Sequence, residues 1–212
     1  MNFAFYVSNK STRLIRFLMN KENNYKHCSL VMHSGDESHE LIEICKHYNI
    51  KYNHIRLDNV SNKNLYLSDV MLDALQENNI DYVFCFGDRI LKGELLDIYD
   101  HKIINFHPSI LPSFKGLMAI DQALINSCML LGNTAHFVDK DVDTGLIIMQ
   151  SILPKQKYSK YDDLLDMQIP MLEQIILWVL DYRLNINKNH VLIEGATYNL
   201  CPYIPNLEFS LS

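Results

Sequence analysis

Asn105, His107 and Asp143 bring an amide, an imidazole and a carboxylate into one sequence pattern. The first two stand two residues apart in Asn105-Phe106-His107-Pro108. The third lies thirty-six residues after His107, in Asp141-Val142-Asp143-Thr144-Gly145. These three groups suit acyl transfer to an amine. An amide N–H stabilises a developing oxyanion, while an imidazole and a carboxylate share the proton work. On an extended strand the two-residue spacing puts Asn105 and His107 on one face, and Pro108 ends the strand. The plain alternative is a loop in which the asparagine bonds its own backbone and the histidine only packs.

The elements that must position these residues follow from two alternating patterns. Apolar runs at Phe3–Val7, Cys28–His33, Tyr52–Leu57, Tyr82–Phe86 and Lys102–Phe106 predict strands buried on both faces. Between most of them lie stretches with helical spacing: Leu14, Phe17, Leu18; then Leu41, Ile44, Cys45, Tyr48; then Leu67, Val70, Met71, Ala74, Leu75. This rhythm predicts an α/β fold with a mostly parallel sheet and crossover helices. Ser11 or Thr12 can cap the first helix. Further on, the sequence predicts a short helix over Ala119–Ile125 and two strands, Asn133–Val138 and Leu146–Leu153, around an Asp-rich loop. A long helix over Tyr161–Leu184 and a tail hairpin over His190–Asn199 complete the reading. Residues 1–212 read as one domain, with a sheet core over 1–154 and a C-terminal helix and hairpin over 155–212. Ligands of open parallel sheets bind beyond the carboxyl ends of the strands. Asn105 and His107 fall at such an end, and Asp143 is in a loop free to reach it.

The bulk properties exclude several classes. The chain has 212 residues, 48% hydrophobic and 21% charged, which suits a packed core. A formal net charge of −6 disfavours a nucleic-acid binder. No window approaches the roughly 18 apolar residues of a membrane span. The apolar start reads as a first strand, since it lacks a basic leader and a cleavage site. Cys28, Cys45, Cys85, Cys128 and Cys201 have no short paired spacing, so they read as free thiols of a cytoplasmic protein, with no metal site. No Gly-x-Gly-x-x-Gly follows the first strand, which argues against a nicotinamide dehydrogenase.

The longer context is Ile103-Ile104-Asn105-Phe106-His107-Pro108-Ser109-Ile110-Leu111-Pro112-Ser113-Phe114-Lys115-Gly116, then Gln122-Ala123-Leu124. It continues with His136-Phe137-Val138-Asp139-Lys140-Asp141-Val142-Asp143-Thr144-Gly145 and Ile148-Met149-Gln150. This order of residues closely resembles the folate-dependent formyltransferase family, most strongly from Val83 to Pro154 and more weakly back to Met1. The resemblance implies a Rossmann-like formyltransferase fold and 10-formyltetrahydrofolate as formyl donor. It implies that Asn105 bonds the formyl oxygen, that His107 polarises the same centre or carries a proton, and that Asp143 orients His107 and, directly or through water, takes the proton of the attacking amine. A close carboxylate would raise the histidine pKa and favour imidazolium near neutral pH. The donor's pterin would lie against main-chain groups of Asp88, Arg89, Ile90 and Leu91, and of Val138, Asp139, Lys140, Asp141 and Val142. Read alone, Arg89 is a surface arginine, and Asp139 and Asp141 are turn residues.

The acceptor side departs from the family's glycinamide ribonucleotide transformylases. Their Gly-Asn-Gly-Ser-Asn phosphate loop is replaced by Asn9-Lys10-Ser11-Thr12-Arg13, their usual His-x-His after the position of Gly116 by Met118-Ala119-Ile120, and their ribose-gripping glutamate by Gln168. The acceptor would touch Ser8, Asn9, Lys10, Arg13, Pro108 and Gln168. A methionyl-tRNA formyltransferase is disfavoured by the short stretch after Leu153 and by the acidic balance. The expectation is therefore a minimal sugar N-formyltransferase acting on a nucleotide-linked amino sugar, for example a 4-amino-4,6-dideoxyhexose. The alternatives are a divergent phosphoribosylglycinamide formyltransferase and a non-catalytic folate-binding module. Tyr198 or Tyr203 could stack on the acceptor's base. The stripe Met171, Ile175, Trp178, Val179 could be core or the surface of a homodimer. No nucleic-acid or membrane partner is expected.

Overall fold

The structure, a computed structural model, describes residues 1–8, 11–20, 24–156, 160–199 and 202–209. The chain forms two compact units, Met1–Asn105 with Val138–Lys140, and Phe106–Phe137 with Asp141–Ser212.

The first unit is a parallel sheet wrapped by helices. Its strands are β1 (Phe3–Ser8), β2 (Cys28–Ser34), β3 (Lys51–His54), β4 (Tyr82–Phe86) and β5 (Ile103–His107), whose last two residues belong to the second unit. They lie in the order β5-β4-β1-β2-β3, all parallel. Strand β1 is buried throughout, so both of its faces are covered. Side chains alternate across it. Phe3 and Phe5 point to one side, where both meet Phe84 at 5.4 Å between ring centroids and Phe5 also meets Phe17 of α1 (Thr12–Asn20). Ala4 and Tyr6 point to the other and pack with Val83 and Cys85 against Leu67 and Met71 of α3 (Lys63–Glu77). Capping explains where two of the helices begin. Ser38 accepts from the Leu41 N–H at the start of α2 (His39–His47), and Asn62 accepts from the Leu65 N–H at the start of α3. A further helix, α4 (Glu94–Ile98), is too short for periodicity to reveal; it follows Gly93, whose φ of +71° suits glycine.

The second unit is built on an antiparallel pair, β6 (Leu130–Phe137) and β7 (Ile147–Pro154), with β10 (Tyr203–Ile204) antiparallel to β7. Helix α5 (Ala119–Ile125) matches its expected bounds. The expected long helix is two, α6 (Tyr161–Asp166) and α7 (Gln168–Leu180). The reason is Pro170, which has no N–H for the Asp166 carbonyl and is tolerated only in the first turn of a new helix. Met171, Ile175, Trp178 and Val179 on α7 are buried, so the stripe is core. The tail hairpin begins earlier than expected, as β8 (Leu184–Asn187) and β9 (His190–Ile193) around Lys188, whose φ is +51°. Tyr203 is buried in β10 and offers no stacking platform, whereas Tyr198 is exposed. Among the described residues no helix is long and apolar enough to cross a membrane, and no group of three or more His, Cys, Asp or Glu could hold a metal ion. Burial raises the thiol pKa of Cys45 to about 11 and of Cys85 to about 12.

Candidate active site

His107 ends β5 and is buried. Its Nδ1 lies 3.3 Å from Asp143 Oδ2, and its Nε2 lies 2.8 Å from the Phe114 carbonyl oxygen. Both neighbours are acceptors. A neutral imidazole has one N–H, so it satisfies one of them; the imidazolium satisfies both. Burial nevertheless outweighs this. It holds the His107 pKa below its ordinary value, against the Phe114 carbonyl and the Asp143 charge, which act in the other direction. The carboxylate acts upward as expected, but burial is the larger effect, so the expected net rise is reversed. The resting ring is short of one proton that its surroundings are shaped to accept.

Asp143 sits in the β6–β7 loop with φ +53°, a left-handed conformation that aspartate tolerates better than most residues. Its Oδ2 also accepts the Gly116 N–H at 2.7 Å. Its Oδ1 lies 3.6 Å from Nε2 of His136, a buried residue of β6 whose Nδ1 faces the Phe137 carbonyl at 2.8 Å. Burial works against the carboxylate's charge. The hydrogen bonds from His136 and Gly116 and the nearby imidazoles overcome it, so the Asp143 pKa is lowered. His136, the Phe114 carbonyl and the Gly116 N–H were not legible as site groups. His136 was visible only as a histidine near the Asp loop, and main-chain groups leave no residue-type signal.

The loop after His107 is tied down by side chains of the second unit. Ser109 Oγ donates to the Ser113 carbonyl, Thr134 Oγ1 donates to the Ser109 carbonyl, and the Leu111 N–H donates to Thr134 Oγ1. Gln150 adds a bond from its amide to the Leu111 carbonyl. Pro108 is half-buried in this segment.

The expected donor loops are divided by unit. Asp88, Arg89, Ile90, Leu91, Val138, Asp139 and Lys140 lie in the first, and Asp141 with Val142 in the second. Leu91 is buried, and Val138 packs on the same apolar cluster, so these two loops share one foundation. Asp88, Arg89 and Ile90 are exposed, and exposed Lys140 pairs with Asp97 at 2.8 Å. Asn105, half-buried, pairs in register with Cys85 in the first unit, two residues before His107.

The expected acceptor residues are divided by unit: Ser8 and Arg13 lie in the first, Pro108 and Gln168 in the second. Asn9 and Lys10 lie outside the described residues. Arg13 lies over the Phe86 ring, 4.8 Å from its centroid, and donates to the Phe86 carbonyl; burial lowers its pKa to about 10. Ser8 Oγ accepts the Asp88 N–H, which ties it to the expected donor loop. Gln168 is fully buried. Its amide donates to Asn133 Oδ1 at 2.8 Å and to the Phe106 carbonyl at 3.4 Å, so it presents no surface to an acceptor. Asn133 continues the network to Ser151 and the Leu164 carbonyl. Ile120 is likewise core, packed with Ala123, Leu131 and Leu164, whereas Met118 is exposed.

Comparison with known proteins agrees with this architecture. A family model described as formyl transferase matches residues 1–168. The human trifunctional purine biosynthetic protein adenosine-3 is 42% identical over 104 residues, which cover 46% of this chain and 10% of that protein. The phosphoribosylglycinamide formyltransferase of Haemophilus influenzae is 29% identical over 142 residues, 65% of this chain and 66% of that one. The chain thus spans only a tenth of the human relative and about two thirds of the bacterial one. The crystal structure of glycinamide ribonucleotide transformylase 1 from Symbiobacterium toebii superposes with a TM-score of 0.79 at 25% identity, covering 91% of this chain and 93% of that one. A formyltetrahydrofolate deformylase from Pseudomonas syringae, at 21% identity and a TM-score of 0.75, shares the fold.

Proposed function

The chain belongs to the formyl transferase family, and from that premise we propose that it transfers a formyl group from 10-formyltetrahydrofolate to the primary amine of phosphoribosylglycinamide. The observation that carries the reaction is the pair of buried His107 and half-buried Asp143, 3.3 Å apart with an acceptor on the ring's far side. The amine nitrogen attacks the formyl carbon, and the formyl oxygen becomes an oxyanion. Asn105 donates its amide N–H to that oxygen. The amine's proton passes to the Asp143–His107 pair, where the imidazolium gains donors for both flanking acceptors. The bond to the donor nitrogen then breaks, that nitrogen takes the proton held by the pair, and tetrahydrofolate leaves beside the N-formyl product. Main-chain groups of Asp88–Leu91 and Val138–Asp141 hold the pterin. No metal takes part.

The names of the Haemophilus influenzae relative and of the Symbiobacterium toebii structure support phosphoribosylglycinamide as acceptor and do not support a nucleotide-linked amino sugar. One observation keeps the sugar as a second reading. Where the resemblance calls for a glutamate gripping the ribose diol, this chain has Gln168, and its amide is committed inside the second unit. An assay with 10-formyltetrahydrofolate and each acceptor in turn separates the two. The proposal expects a higher kcat/KM with phosphoribosylglycinamide. A higher value with any nucleotide amino sugar would transfer the assignment to the second reading, and turnover to formate without an acceptor would defeat both.

A further inference from the structure

We infer that Ser68 and Ser8 are positioning residues for the formyl donor: their hydroxyls fix the two ends of the Asp88–Leu91 loop, so that its main-chain groups face the pterin in one geometry. The inference rests on the donor reading proposed above and adds to it two residues of the first unit.

A loop that recognises a ligand through main-chain groups has no side-chain specificity to lose. Its affinity depends on how well its backbone is held before the ligand arrives. In this loop Arg89 and Ile90 are exposed, so the holding must come from its ends. At the first end the Asp88 N–H donates to Ser8 Oγ at 3.0 Å. Gly87 precedes it and lies so close to the Tyr6 ring that a Cβ there would collide with it. Tyr6 is itself held through its hydroxyl, 2.6 Å from Ser34 Oγ. At the second end the Lys92 N–H donates to Ser68 Oγ at 2.8 Å. Ser68 is fully buried on α3, and its hydroxyl donates to the Asn64 carbonyl, also at 2.8 Å. That donation orients the oxygen's lone pairs toward Lys92. Leu91 anchors the intervening turn in the apolar cluster that also takes Val138 of the other donor loop. A serine in mid-helix is a poor helix former and here fills a core position beside Leu67 and Met71. Accepting the Lys92 N–H gives it a task that an alanine could not perform. Ser8, expected among the acceptor contacts, acquires the same kind of role.

The test compares Ser68→Ala and Ser8→Ala with Ser38→Ala, which removes the cap of α2 away from the loop. Four readouts are needed: KM for 10-formyltetrahydrofolate, KM for the acceptor, amide hydrogen exchange of residues 88–92, and the Tm. The expected result is a donor KM raised about tenfold in Ser68→Ala, with a smaller rise in Ser8→Ala. The acceptor KM stays within about twofold, and exchange accelerates within the loop. Ser38→Ala lowers the Tm without moving the donor KM. If Ser68→Ala lowered the Tm as Ser38→Ala does and left donor KM and loop exchange as in the wild type, the serine would be merely structural and the inference overturned. If the wild-type chain neither bound nor used 10-formyltetrahydrofolate, the donor reading itself would fall, and this inference with it.

Discussion

Asp143 Oδ2 lies 3.3 Å from His107 Nδ1, and this pair is closed on its far side by a main-chain acceptor, the Phe114 carbonyl. The arrangement has one proton fewer at rest than it can bind with good geometry. A proton released by an attacking amine therefore meets a pair that gains hydrogen bonds by accepting it.

Asp143→Asn keeps the shape and an oxygen for the Gly116 N–H but removes the charge and the basicity. We expect kcat to fall by about 10²–10⁴-fold, the usual worth of a positioned acid–base group, with the donor KM little changed. Steady-state kinetics on both substrates checks this, and a loss below about tenfold would remove Asp143 from the proton path.

The two pKa shifts give the pH dependence of stability a definite sign. His107 has its folded pKa pushed below the ordinary value by burial, so the unfolded chain binds its proton first as the pH falls. Stability is then lost from about pH 6.5 downward until the folded pKa is passed. Asp143 has its pKa lowered, so its contribution is present above about pH 4 and is lost as the pH falls through its folded value. Both act in the same direction, toward instability in acid. The slope from one such proton cannot exceed about 1.4 kcal/mol per pH unit. Urea unfolding between pH 7 and pH 5 should show the first loss in the wild type and a flatter profile in His107→Gln. An equally steep profile in the variant would assign the slope to other groups.

Gln168 offers a test away from the chemistry. Its amide donates to Asn133 Oδ1 and the Phe106 carbonyl, while the Asn133 amide is occupied by Ser151 and the Leu164 carbonyl. Gln168→Glu restores the family residue but turns the donor into a third acceptor within a buried cluster. We expect a loss of at least about 2 kcal/mol in unfolding free energy, since a buried polar group loses its partner and a charge is buried. An unchanged urea midpoint would mean that the helix can turn this side chain out toward a ligand.

Where the sequence was legible, the cause is burial on both faces. Phe3–Val7 and Tyr82–Phe86 read as strands because a covered parallel sheet leaves no polar alternation to confuse with a loop. The helix predicted over Tyr161–Leu184 is divided because Pro170 has no N–H to give, a lack of which apolar periodicity carries no sign. The hairpin was displaced because its turn rests on the positive φ of Lys188, a residue with no turn signature. In the site, Asn105, His107 and Asp143 stood out by type and spacing. His136 did not, because its contact with Asp143 depends on the strand β6 register. Gln168 reads as a ligand contact from the resemblance alone, because Asn133 and the Phe106 carbonyl, which hold its amide, are far from it in sequence.

The central claim is tested most directly by incubating the chain with phosphoribosylglycinamide and 10-formyltetrahydrofolate carrying a ¹³C-labelled formyl group. Mass spectrometry then follows both products. The account predicts label on the glycinamide nitrogen in step with tetrahydrofolate release, abolished in His107→Ala and Asp143→Ala variants that remain folded. Label appearing only as formate, or transfer that persists undiminished in the two variants, would contradict it.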